Sequence, residues 1–200
     1  LYVEDSVEIT FPKDGEAGGT WIGTSSKNRL VCLMNGGFIN HIPKEKYRIS
    51  RGLIVKELLK ADDISDILTR INLDDIEPFT LVIVDWNDGL ELLDFVWTGE
   101  IKHLSSLPKT PHIWSSSTLY NEATKKLRQQ WFNKWQSHQE NFTQSNIIHF
   151  HKTAGEGNAE TNVLMKRDGG GTVSITSIKR KKNKLQLIYE DMLTNKATLL

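Results

Sequence analysis

The chain has 200 residues, enough for one domain with a core that needs no covalent staples. Its 25 basic and 25 acidic side chains cancel, so no long-range field gathers phosphate backbones or anionic lipid, and no nucleic-acid partner is expected. One cysteine excludes an internal disulfide and any multi-cysteine zinc site. No apolar run approaches the roughly 18 residues that cross a bilayer, and a secretion signal is missing, so a cytoplasmic protein without an integral membrane segment is expected.

The first third reads as strands: Val7 to Phe11, Thr20 to Thr24 and Arg29 to Met34, separated by Gly, Ser, Lys and Asn. "SSKN" makes a hairpin connection that pairs Trp21-Ile22 with Leu30 to Leu33. The period then changes. From Arg48 to Lys60, Leu53, Ile54, Leu58 and Leu59 cluster at helical spacing, with Lys56, Glu57 and Lys60 facing water. Asp62-Asp63 offers an N-cap to a second helix carrying Ile64, Ile67, Leu68 and Ile71.

"FTLVIVDW", Phe79 to Trp86, is an apolar, branched run of the kind buried on both faces. "NDG" at 87–89 turns the chain into a return strand, and Glu100 to Leu104 adds a third. Asn121 to His138 is helical, with Ala123, Leu127, Trp131 and Trp135 on one core-facing stripe. Strands follow at Ile147 to Lys152, Asn162 to Met165, Thr172 to Ile178 and Leu185 to Glu190. Strands, helices, strands, a helix, strands is an α+β order rather than an alternating βαβ one.

Several groups invite chemistry. The basic run at 179–184 sits between two strands and reads as a solvated hairpin turn. His149 and His151, two apart on an expected strand, share a face, with Glu156 and Glu160 in the following loop, but no third metal ligand is evident. The glycines at 155, 157 and 169–171 lack the Gly-Lys-Ser/Thr ending and the helix of a phosphate cradle. Cys32 lies mid-strand among apolar neighbours and reads as core. Gly18, Gly19 and Gly23 together point to close backbone approach or a bulge. Asn35, at a strand end before Gly36-Gly37, either serves the turn or holds an amide N–H toward an oxyanion.

"GGTWIG" at 18–23, "RLVCLMNGG" at 29–37, "SRGLIV" at 50–55 and "TLVIVD" at 80–85 resemble, in order and spacing, the NRDE family. That family is also called the transport and Golgi organisation protein 2 family and is related to N-terminal-nucleophile hydrolases. The similarity continues weakly through "HIWSSSTLY" and "TVSITSI" and covers essentially the whole chain as a single domain. It implies a four-layer αββα sandwich of two antiparallel sheets flanked by helices. It also implies hydrolysis of a small non-peptide amide bond by the first residue of the mature chain, whose free α-amine titrates near pH ~8 and serves as base. No cofactor is implied, and the partner is a small-molecule substrate or ligand.

By the same resemblance Asn35 is the oxyanion donor, and Ser116 stands where related bile-salt and penicillin hydrolases have a second asparagine. The motifs mark Gly18, Gly19, Thr20, Trp21 and Arg51 as substrate-binding. The family's Asn-Arg-Asp-Glu run and its Met-Cys start are expected upstream of Leu1, which has no nucleophilic side chain. The alternative is a non-enzymatic binding or trafficking protein on this scaffold, holding a hydrophobic ligand such as haem or lipid.

Overall fold

The computed structural model describes residues 1–182 and 184–199. The chain divides into two compact units, residues 1–120 and 121–200, each taken by itself below. Antiparallel strands combined with helices make the protein α+β.

In the first unit, strands β1 (Tyr2–Glu4), β2 (Val7–Thr10), β3 (Ile22–Ser25) and β4 (Arg29–Asn35) precede helices α1 (Arg51–Lys60) and α2 (Ile64–Arg70). Strands β5 (Phe79–Asp85), β6 (Glu91–Trp97) and β7 (Lys102–Ser106) follow. All seven form one antiparallel sheet in chain order. The β3–β4 hairpin turns where expected, with Asn28 at φ 52°, a conformation asparagine tolerates. Ile22 pairs with Cys32 across it.

Register divides the sheet into two faces. Val31, Ile83 and Leu93 align on one, and pack with Leu81 and Phe95 against Ile54, Val55, Leu58 and Leu59 of α1 and Ile64 and Leu68 of α2. Each such aliphatic side chain contributes roughly 1.5–3 kcal/mol by leaving water. Cys32, Val82 and Asp94 align on the other face, where Val82 is buried but Thr80 and Val84 are half-buried.

The second helix starts as expected, Asp63 capping α2 by accepting from Asp66 N, whereas α1 begins at Arg51, three residues after the expected Arg48, because Ser50 caps it by accepting from Gly52 N. Lys56 and Lys60, expected to face water, instead reach the β1–β2 turn. Lys56 Nζ lies 2.7 Å from Glu4 and Lys60 Nζ 2.7 Å from Asp5. The C-terminus of α1 is capped from the sheet. Arg29, fully buried, bonds Asp85 Oδ2 through Nε at 2.7 Å and donates Nη1 to the carbonyls of Leu58 and Ala61 at 2.7 Å each.

The second unit holds α3 (Glu122–Ser137), α4 (Gln144–Thr153), the short strands β8 (Lys166–Arg167) and β9 (Gly170–Gly171), and a sheet of β10 (Ser174–Lys181), β11 (Lys184–Asp191) and β12 (Lys196–Leu199). Three expectations need correction. Residues 147–152 are helical, because Thr143 caps α4 by accepting from Asn146 N and Ile147 and Phe150 then fall at helical spacing. Residues 162–165 form no strand. The buried face of α3 is Thr124, Arg128 and Phe132, one position on from the expected stripe; Ala123 is exposed and Leu127, Trp131 and Trp135 only half-buried. Arg128 is accepted in that interior because it donates to the carbonyls of Thr161 and Asn162. The basic run is an exposed hairpin turn with Lys182 at φ 54°; Asn183 lies outside the described residues.

Candidate functional site

At one end of the first unit's sheet, the C-termini of β4 and β6 meet the N-terminus of β5 and the first turn of α1. Asn35, Phe79 and Trp97 stand in one register row. Two of the glycine motifs interlock beside it. A Cβ on Gly19 would fall 2.5 Å from the carbonyl carbon of Gly52, and one on Gly52 would fall 2.8 Å from Thr20 N. Thr20 N donates to Gly52 O at 3.2 Å, so "GGT" and "SRG" are two halves of one joint. Thr20 is itself buried, its hydroxyl 2.8 Å from the carbonyls of both Pro12 and Ile22, between which its single proton is placed.

From this joint hydrogen bonds continue to Asn35. Arg51 donates Nη1 to Pro78 O at 3.2 Å, and the same carbonyl accepts from Gly36 N at 3.0 Å. Ser116 Oγ donates to the main-chain carbonyl of Asn35 at 2.7 Å and lies 3.0 Å from Thr118 Oγ1. Gly36, at φ 85°, has room for no side chain: a Cβ there would sit 2.1 Å from Ser117 Oγ. The Asn35 side chain is exposed and without a hydrogen-bond partner among the described residues.

Gly19, Thr20, Arg51, Asn35 and Ser116, five of the seven residues marked in the sequence, thus lie on one connected path. Gly18 and Trp21 do not. Gly18 closes a turn on Asp14 O, and Trp21 is 36 % exposed, with its carbonyl accepting from Leu33 N.

The path also includes residues that no motif marked. Glu77 Oε2 lies 2.9 Å from Arg51 Nη2, and its Oε1 lies 3.2 Å from His41 Nε2. Burial lowers the pKa of the Arg51 guanidinium, against the opposing pull of Glu77. The only signal for Glu77 in the sequence is an acidic residue directly before the proline that opens β5.

The other reactive groups stand apart. Cys32 is on the opposite sheet face from Asn35, since their separation along β4 is odd. Burial pushes its thiol up to about 11, so it is not an activated nucleophile. His149 and His151 fall on helix α4, not on a strand, and two residues on a helix lie about 200° apart, which removes the shared face expected of them. Among the described residues no group of three or more His, Cys, Asp or Glu side chains is arranged to hold a metal ion.

These features define the class: an α+β protein in which paired glycine motifs brace the end of an antiparallel strand against a helix. The sequence matches the family described as Transport and Golgi organisation 2 over residues 2–191, and the chain belongs to that family. No curated protein matches it. Among the described residues no helix is long and apolar enough to cross a membrane.

Proposed function

We propose that the chain carries the oxyanion-binding part of a hydrolase for small non-peptide amides, of the N-terminal-nucleophile kind. One observation supports it most: Asn35 has a free, exposed side-chain amide while its main chain is held on both sides. Ser116 Oγ grips its carbonyl and Pro78 O fixes the following amide. A donor held in place before charge develops is what stabilises a tetrahedral oxyanion. Ser116 has its proton on the Asn35 carbonyl, so in this reading it holds the donor rather than acting as one.

The attacking group in such a reaction is a Cys, Ser or Thr with a free α-amine. A four-layer αββα arrangement belongs to the same proposal. It is supported by a seven-stranded antiparallel sheet with α1 and α2 packed on one face. The test is hydrolysis of a panel of small acyl amides by the natural full-length protein. Asn35→Ala is expected to lower kcat by about 10²–10³ with the fold intact. Full activity in that variant, or no cleavage of any amide, would defeat the reading.

A second reading, binding of an apolar ligand without chemistry, has one observation in its favour. In the second unit a groove of about 310 Å³ runs between α4 and β10, where Phe142, Ile147, Ile148, Ile175 and Ile178 share the lining with the polar Gln144, His151, Thr176, Ser177 and Lys179. Trp135 lies 5.6 Å from Phe142, ring centre to ring centre, so its fluorescence should respond to a fatty acid or haem titrated into the groove. An unchanged emission would retire this reading.

A further inference from the structure

Loop 36–50 and segment 72–78 run side by side, fastened by a ladder of contacts. Gly36 N meets Pro78 O, His41 meets Glu77, Lys44 Nζ meets Asp75 Oδ1 at 2.8 Å, and Arg48 donates to the carbonyls of Asp74 and Asn72. Glu77 differs from the other acidic rungs. It is largely withdrawn from water, 23 % exposed, and each of its oxygens serves a different element. One takes His41 from the loop and the other takes Arg51 from α1, and both partners are only 16 % exposed.

We infer that Glu77 is the positioning residue for Asn35. Its carboxylate holds the Arg51 guanidinium where it shares the Pro78 carbonyl with Gly36 N, and clamps His41 so that the turn after Asn35 closes. This rests on the role of Asn35 proposed above.

The chemistry supports the assignment at each contact. A carboxylate only accepts, so the contact with Glu77 is a donation from His41 Nε2–H. Its Nδ1 is buried without a partner among the described atoms, so Glu77 supplies the one hydrogen bond that the ring makes among them. Without Glu77 the half-buried guanidinium keeps only the Pro78 carbonyl. The cost of its unpaired donors would then draw it toward water and away from Gly36. Ser117 Oγ donates to Ile39 O at 3.3 Å and Thr80 Oγ1 to Gly36 O at 3.0 Å, so those two points of the turn stay attached and the loss of Glu77 falls on the Gly36 N–Pro78 O contact and on His41.

The test uses the natural full-length protein without substrate, by nuclear magnetic resonance. Glu77→Ala is expected to speed amide exchange at Gly36 by about tenfold or more, shift the Asn35 side-chain amide signals and remove the hydrogen-bonded Nε2–H signal of His41. Glu77→Gln, whose single oxygen accepts from one partner at a time, should fall between Glu77→Ala and wild type. Lys44→Ala, which breaks the next rung, should leave Gly36 exchange within about twofold. The inference is overturned by a folded Glu77→Gln or Glu77→Ala variant with unchanged Gly36 exchange and unmoved Asn35 signals. It is equally overturned if Lys44→Ala has the same effect, since the ladder as a whole would then be responsible. If Glu77→Ala does not fold, Glu77→Gln decides alone. Failure of the hydrolase reading would show only in the Asn35→Ala assay and would leave these signals as they are.

Discussion

Ser116 and Asn35, 81 positions apart in sequence, are joined by a 2.7 Å bond from the serine hydroxyl to the asparagine main-chain carbonyl. The bond makes Ser116 a prop for the strand end. Ser116→Ala should cost about 1 kcal/mol, because a part-buried carbonyl loses its donor. Ser116→Thr, which keeps the hydroxyl, should cost less. Urea unfolding would show it as a lower midpoint at unchanged slope.

The joint between Gly19 and Gly52 predicts a coupled pair. Gly19→Ala and Gly52→Ala each push a methyl group into backbone, and each should destabilise by about 1–3 kcal/mol. Because both substitutions spread the same contact, the double variant should lose less than the sum. Gly15→Ala, where an added Cβ meets nothing within 4 Å, is the control and should be nearly neutral.

Arg29 is fully buried and ties Asp85 to the C-terminal carbonyls of α1. Arg29→Ala strands the carboxylate and uncaps the helix, so a loss of about 3–5 kcal/mol is expected. Replacing Arg29 and Asp85 together by apolar residues should cost less than Arg29→Ala alone. Equality of the two in thermal unfolding would show that the ion pair is not what matters.

Much of the first unit could be read from residues alone. The apolar, branched run from Phe79, the Asp63 cap and the period change after Arg48 each reported a local preference that the fold kept. What could not be read were contacts made by polar side chains with distant carbonyls. Arg29 opens a strand in sequence and caps a helix in space, and Glu77 carries no motif. In the second unit "IIHFHK" resembled a strand because its branched residues favour one, while the deciding feature was the Thr143 cap. Strand β12 escaped notice because it is exposed throughout and shows no alternation.

Cys32 offers a simple chemical check. With its thiol raised to about 11 by burial, the thiolate is scarce at neutral pH. Alkylation by iodoacetamide should therefore be slow in the native protein and rapid in denaturant. Fast labelling of the native state would place Cys32 in a different environment.

Asp94 predicts a pH dependence. Burial raises its pKa above the ordinary carboxylate value, partly opposed by the Trp114 indole, which donates to it. A raised carboxyl binds protons more tightly in the folded state, so ionising it costs stability as pH climbs through the window just above its unfolded value. Asp94→Asn should thus raise the melting temperature more at pH 7 than at pH 4. The opposite order would mean that the charged carboxylate is the favoured form.

The first unit's strands pair strictly with their sequence neighbours, with α1 and α2 inserted between β4 and β5. A chain with that connectivity can assemble as it leaves the ribosome. β1 to β4 can zip into a ribbon of hairpins before β5 has been synthesised, and loop-closure entropy is spent in small instalments. The one long closure brings β5 onto β4, and the Asn35 end of the sheet is completed only then. Its geometry cannot be complete before β5 and Ser116 have both been synthesised.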